Sequence, residues 1–100
     1  MEELDDIRWD WEEDGRLVRR EVDRRTFARG GWATVMFLFQ ELDSERDAWQ
    51  DARVAIVRFQ KVRGLWKKHA AWNLAGADEA RAVAGQLERW FGAERELTSS

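Results

Sequence analysis

A chain of 100 residues, 44% apolar and 37% charged with a formal charge of -3, is one domain, because two cores would each fall below the size that folds without staples. It has no cysteine, which excludes disulfides, Cys-ligated zinc and thiol nucleophiles. No apolar run approaches the roughly 20 residues of a membrane span, and the start MEELDDIRWDWEEDG is acidic where a signal peptide is basic and then apolar, so a cytoplasmic setting with no membrane partner is expected.

The first 14 residues carry eight acids against Arg8. Ile7, Trp9 and Trp11 share one side if this stretch is extended, so DIRWDW reads either as a short strand turning back at Asp14-Gly15 or as part of a solvated acidic segment. The domain proper is expected over residues 15–92, and AERELTSS at residues 93–100 as a frayed tail. RLVRREVDRRTF alternates only roughly and is read as a strand, paired through a turn at residues 28–31 with WATVMFLFQEL at residues 32–42. The latter is the clearest strand, rich in aromatic and β-branched residues. Thr34, Met36 and Leu38 lie on one side of it and Val35, Phe37 and Phe39 on the other. Such a strand is central, or has a face reserved for a partner. One short helix can cover one face only, so a second copy of the chain is the expected cover for the other.

The polar run DSERDAWQD is read as a loop. RVAIVRFQK and LWKKHAAWNL follow as two more strands, joined by a tight turn at Arg63-Gly64. If that turn has two residues, Phe59 faces Lys68, Lys61 faces Trp66, Gln60 faces Lys67 and Arg58 faces His69. Phe59, Val57, Trp72 and Leu74 would then pack under the helix, and a three-residue loop would regroup them. The helix begins near Asp78 as N-cap, with Glu79 favourable to its dipole. Ala80, Val83, Ala84, Leu87, Trp90 and Phe91 recur at the spacing of one buried stripe, and Gly92 is expected to end it in a left-handed cap. The fold class is α+β: a four- or five-stranded antiparallel sheet followed by one C-terminal helix, expected to form a homodimer.

Catalysis has little to work with. His69, the one histidine, sits beside Lys67 and Lys68 with no triad partner, and Ser44, Ser99 and Ser100 lie in loop and tail. RGG lacks the spacing of a phosphate-binding loop, and DWEED lacks the alternation of a calcium loop. No enzyme activity, metal, cofactor or small-molecule substrate is expected.

Residues 53–77 contain no Asp or Glu, although the whole chain is acidic. Their cations, Arg53, Arg58, Lys61, Arg63, Lys67 and Lys68, are interleaved with Phe59, Trp66 and Trp72. Taken singly, each Trp here is more simply a core residue, Trp32 and Trp90 among them, and each cation part of a solvated face. A merely soluble face mixes both signs, however, and single-stranded nucleic acid calls for this combination, cations along its phosphates and rings on its unpaired bases. AIVRF, a basic hairpin, a strand ending WNL and an acid-led helix ending LERWF together resemble the positive cofactor four and Whirly family of single-stranded-DNA-binding domains. They are also similar to the crenarchaeal single-stranded-DNA-binding proteins and to small bacterial relatives with a W-A-T-V strand. The resemblance covers residues 32–91. It implies four antiparallel strands before a helix, a homodimer, and single strands held on the sheet by basic and aromatic side chains. Ile56 and Arg58 match that family's Ile-Arg, whereas His69 and Ala70 stand where it has a glycine, and residues 1–14 have no counterpart.

The expected function is therefore non-catalytic binding of single-stranded DNA or RNA. Arg58, Lys61, Arg63, Lys67 and Lys68 would contact phosphates, with His69 beside them, and Trp66 with Phe59 would stack on bases. The alternative is a protein-interaction module whose basic hairpin receives an acidic protein segment. A third reading has EELDDIRWDWEED shielding the basic face until nucleic acid displaces it.

Overall fold

The computed structural model describes residues 3–92. A single 3-10 turn (Leu4–Asp6) leads into an antiparallel sheet of β1 (Trp11–Glu13), β2 (Arg16–Arg29), β3 (Trp32–Asp43), β4 (Ala48–Trp49), β5 (Arg53–Val62) and β6 (Leu65–Asn73), followed by α1 (Ala77–Phe91). The spatial order is β1-β2-β3-β5-β6, with the two-residue β4 pairing only the end of β3. β4 lies in the run expected to be a loop. The fold is thus α+β, as expected, with a five-strand path and one added short strand.

Turn chemistry sets the register. Asp14 and Gly15 have φ of 52° and 77°, and Arg63 and Gly64 have 54° and 82°; two successive positive φ values suit a two-residue hairpin to the strand twist. Lys61 accordingly faces Trp66, Gln60 faces Lys67 and Phe59 faces Lys68. Beyond that pair the expected register breaks. Arg58 faces Ala70 and Val57 faces Ala71, because His69 is an extra residue in a β-bulge. A one-residue shift sends every later side chain of β6 to the other face, and Trp72 parts from Phe59 and Val57 to stand opposite Ile56.

β3 is central, and its two sides have different fates. Val35, Phe37 and Phe39 join Ala55, Val57 and Phe59 of β5 in the buried cluster. The helix does not cover that cluster. Leu4, Ile7 and Trp9 pack on it from the N-terminal segment, together with Trp66. Trp9 lies flat on Phe37, ring centres 4.7 Å apart at 11°, and edge-on to Phe39 at 6.2 Å. The acidic segment is therefore one layer of the fold, ending in a short strand.

Arg24 fixes this cover from below. Its guanidinium bonds both carboxylate oxygens of Glu21 at 2.8 Å, donates to the Leu4 carbonyl at 3.0 Å, and also donates to the Ile7 carbonyl. The hydrogen bond from Glu21 raises the Arg24 pKa above its ordinary value, against the lowering effect of burial, and the charges of Glu21, Asp5 and Asp10 add to the rise. The Ile7 carbonyl thus gains a partner, and the Leu4 carbonyl, which already accepts from the Ile7 N–H, gains a second.

The helix differs from expectation at both ends and along its stripe. Gly76 is its N-cap with no side-chain cap, while Glu79 accepts from the Ala75 N–H at 2.6 Å. Gly92 ends it at φ -69°, a right-handed conformation. No helix residue is buried, and Leu87, Trp90 and Phe91 are 48%, 56% and 59% exposed. The radius of gyration is 16.4 Å, where a compact chain of this length has about 13 Å. Among the described residues no helix is long and apolar enough to cross a membrane. The expected tail, residues 93–100, lies outside the described residues.

Candidate functional site

Paired residues of an antiparallel sheet point to the same side, so the register divides the expected ligand-binding residues between two faces. The inner face, under the N-terminal segment, takes Phe59, Lys61, Trp66 and Lys68. Phe59 is only 4% exposed and offers no free ring. Trp66 is half-buried against the core, with the Lys61 ammonium 5.5 Å from its ring centre. The Lys68 ammonium is 5.8 Å from the ring centre of Trp9, and the Arg19 guanidinium lies 5.2 Å from it. Phe59 and Trp66 belong to the core and its margin, while Lys61 and Lys68 stay exposed beside the rings. Stacking of bases on Phe59 is corrected by its burial.

The opposite face is open over the rows nearest the hairpin, where Arg25, Phe27, Arg29, Arg58, Lys67 and Trp72 are exposed, and Leu74 is buried at its far end. Three rows of side chains cross it from β2 to β6. The first is Arg29, Trp32, Gln60 and Lys67; the second Phe27, Thr34, Arg58 and Ala70; the third Arg25, Met36, Ile56 and Trp72. Of the residues expected from sequence, Arg58, Lys67 and His69 belong here. Arg63 sits in the hairpin turn at one end.

At the centre, the Arg58 guanidinium lies 4.6 Å from the ring centre of Trp32, and His69 meets the same ring edge-on at 5.0 Å and 89°. Alternation after Lys68 puts His69 on this face, and the bulge keeps Ala70 on it as well. An exposed Arg above a Trp gains about 0.5–1 kcal/mol, enough to orient the cation and too little to lock it there. Trp72 is 52% exposed and Phe27 61% exposed, one at each margin of the face. A hollow lined by Thr34, Ile56, Arg58, Ala70, Ala71 and Trp72 lies beside Trp72.

The three rows hold the cations Arg25, Arg29, Arg58 and Lys67 and no carboxylate. The next row, Asp23, Leu38 and Val54, supplies the nearest acid in the register. Asp23 meets Arg25 at 3.3 Å with both side chains well exposed, a contact that solvent largely screens. Arg29, Arg58 and Lys67 make no ion pair among the described residues. Among those residues, too, no group of three or more His, Asp or Glu could hold a metal. The acidic segment lies on the inner face, so it does not shield this one.

Five residues of this face escaped the sequence reading as ligand contacts: Arg25, Phe27, Arg29, Trp32 and Trp72. A signal for the first three exists in RTFAR, where Arg, Phe and Arg recur at the strand period of two. Trp32 reads as core because it is a Trp on the best strand; its ring is half-buried, under Arg58 and His69. Trp72 could be assigned to its face only once the bulge was known.

No protein-family model, curated protein or solved structure matches the chain.

Proposed function

We propose that the protein binds single-stranded nucleic acid, without catalysis, on the open face of its sheet, and that it does so as a homodimer. The observation that carries this reading is the set of three rows that bring four cations together with the exposed rings of Phe27 and Trp72 and the half-buried ring of Trp32, with no carboxylate. Phosphates are met by Arg25, Arg29, Arg58 and Lys67, with Arg63 at the rim. Unpaired bases stack on Trp32, Trp72 and Phe27. Duplex offers the phosphates but keeps its bases stacked on one another, so it engages only half of this surface. The test is a titration of a labelled single strand over a range of salt. About four neutralised phosphates give a log-log slope near -3, and a duplex of equal length binds more weakly. Absence of binding at low salt would sink the reading.

Self-association is supported by a separate observation. Leu87, Trp90 and Phe91 form an exposed stripe on the helix, and Met36 adds exposed apolar surface to the sheet. Edge-to-edge pairing of two sheets is a poor route, because both long edge strands are interrupted by bulges, at Val22 in β2 and at His69 in β6. The exposed helix stripe is left as the contact. Light scattering is expected to give twice the chain mass, and a monomer at high micromolar concentration removes the dimer.

A further inference from the structure

The β2 margin of the open face is built more like a binding element than a strand edge needs to be. Phe27 is the most exposed large apolar side chain among the described residues, at 61%, and Arg25 and Arg29 flank it on the same face at the strand period. A bare aromatic on an edge invites aggregation, and proteins usually replace it with a charge. β1 reaches only as far as Arg19, so the outer edge of β2 beyond it has no strand beside it among the described residues. On this edge the Glu21 and Arg24 N–H groups are taken by the Asp10 and Asp23 carboxylates, and the outward N–H groups nearer Phe27 can donate to phosphate oxygens. The Val22 bulge bends this edge away from self-pairing without removing those donors.

The hairpin contacts Lys67 and Trp72 lie on β6 at the opposite margin, three strand spacings away. At about 4.8 Å per spacing the face is about 14 Å wide, and at a rise of about 3.4 Å per stacked nucleotide this is about four nucleotides. Trp32 and Arg58 stand between the margins in the first two rows. We infer that Arg25, Phe27 and Arg29 form a second contact set at the far end of the single-strand site, so that the ligand is an unpaired run of about four or more nucleotides crossing the strands from β6 to β2. This rests on the single-strand reading above, and adds to it an end point and a minimum length.

Oligothymidines from a trimer to a dodecamer, titrated by fluorescence anisotropy at low salt, separate the two claims. The unaltered chain should bind more tightly as length increases to about the crossing length. Phe27→Ala and Arg29→Gln should weaken the dodecamer at least about fivefold and leave the trimer unchanged, whereas Lys67→Gln should weaken both. Phe27→Trp should restore dodecamer binding, which a merely structural role for the ring does not predict. Both β2 side chains are exposed, so melting temperatures should stay within the error of the unaltered chain. Dodecamer affinity unchanged by Phe27→Ala and Arg29→Gln, with Lys67→Gln still weakening it, overturns the β2 contact set alone. No binding of any oligonucleotide by the unaltered chain overturns the single-strand reading, and this inference with it.

Discussion

On the inner face of the sheet, Arg24 lies over Phe37, Arg19 and Lys68 flank Trp9, and Lys61 lies over Trp66. On the open face, Arg58 lies over Trp32 beside His69, with Phe27 and Trp72 at the margins. The ingredients are nearly the same and their surroundings are not. Trp9 lies on Phe37 and Phe39, and Arg24 is committed to Glu21 and to backbone carbonyls. The open-face cations have a ring, a weak exposed acid or water as partners, so a polyanion can take them without breaking a fold contact. A cation over an aromatic ring is thus a structural device or a binding device according to what covers it.

The widest separation expected between the faces is in stability. Phe37 is fully buried, and Phe37→Ala should cost about 3–5 kcal/mol. Phe27→Ala should stay within about 0.5 kcal/mol of the unaltered chain. Denaturant unfolding checks both, and a comparable loss at Phe27 would erase the distinction. Next in size is the cover itself. Trp9 is only half-buried, so Trp9→Ala should cost about 3 kcal/mol, the lower end for an aromatic truncation. Removing residues 1–10 should destabilise the sheet at every salt concentration. Tighter single-strand binding by the truncated chain with unchanged stability would instead revive the shielding role.

Leu87→Asp comes third. A helix stripe buried on its own sheet would make this change unfold the domain. With Leu87 48% exposed, it should leave the melting temperature within a few degrees and shift the mass in light scattering toward the monomer. The smallest effect is also the most discriminating, because it compares neighbours. Lys67 lies on the open face and Lys68 on the inner one. Lys67→Ala should weaken single-strand binding and make the salt slope shallower by about 0.7, while Lys68→Ala should leave the slope unchanged. Equal changes at the two positions would mean that the hairpin is gripped from both sides.

The sequence by itself determined the local structure. Turn residues able to take positive φ sit at Asp14-Gly15 and Arg63-Gly64, and the two-sided apolar strand and the single helix follow from spacing alone. Short-range sterics and side-chain period decide these, and a window of residues contains both. Which face each ring occupies was beyond that window. The bulge at His69 adds one residue, one residue is half the strand period, and so Trp72 changed sides while Lys68 did not. The cover of the core was also a tertiary decision. Leu4, Ile7 and Trp9 sit in a segment whose charge reads as solvated, yet Arg24, distant in the chain, satisfies its carbonyls and Phe37 receives its ring. With that cover in place the helix was not needed over the same cluster, and its stripe stayed exposed. The acid-free hairpin was visible in the sequence as a concentration of charge, but its division between a structural face and an open one depends on strand partners and covering segments, which no single stretch contains.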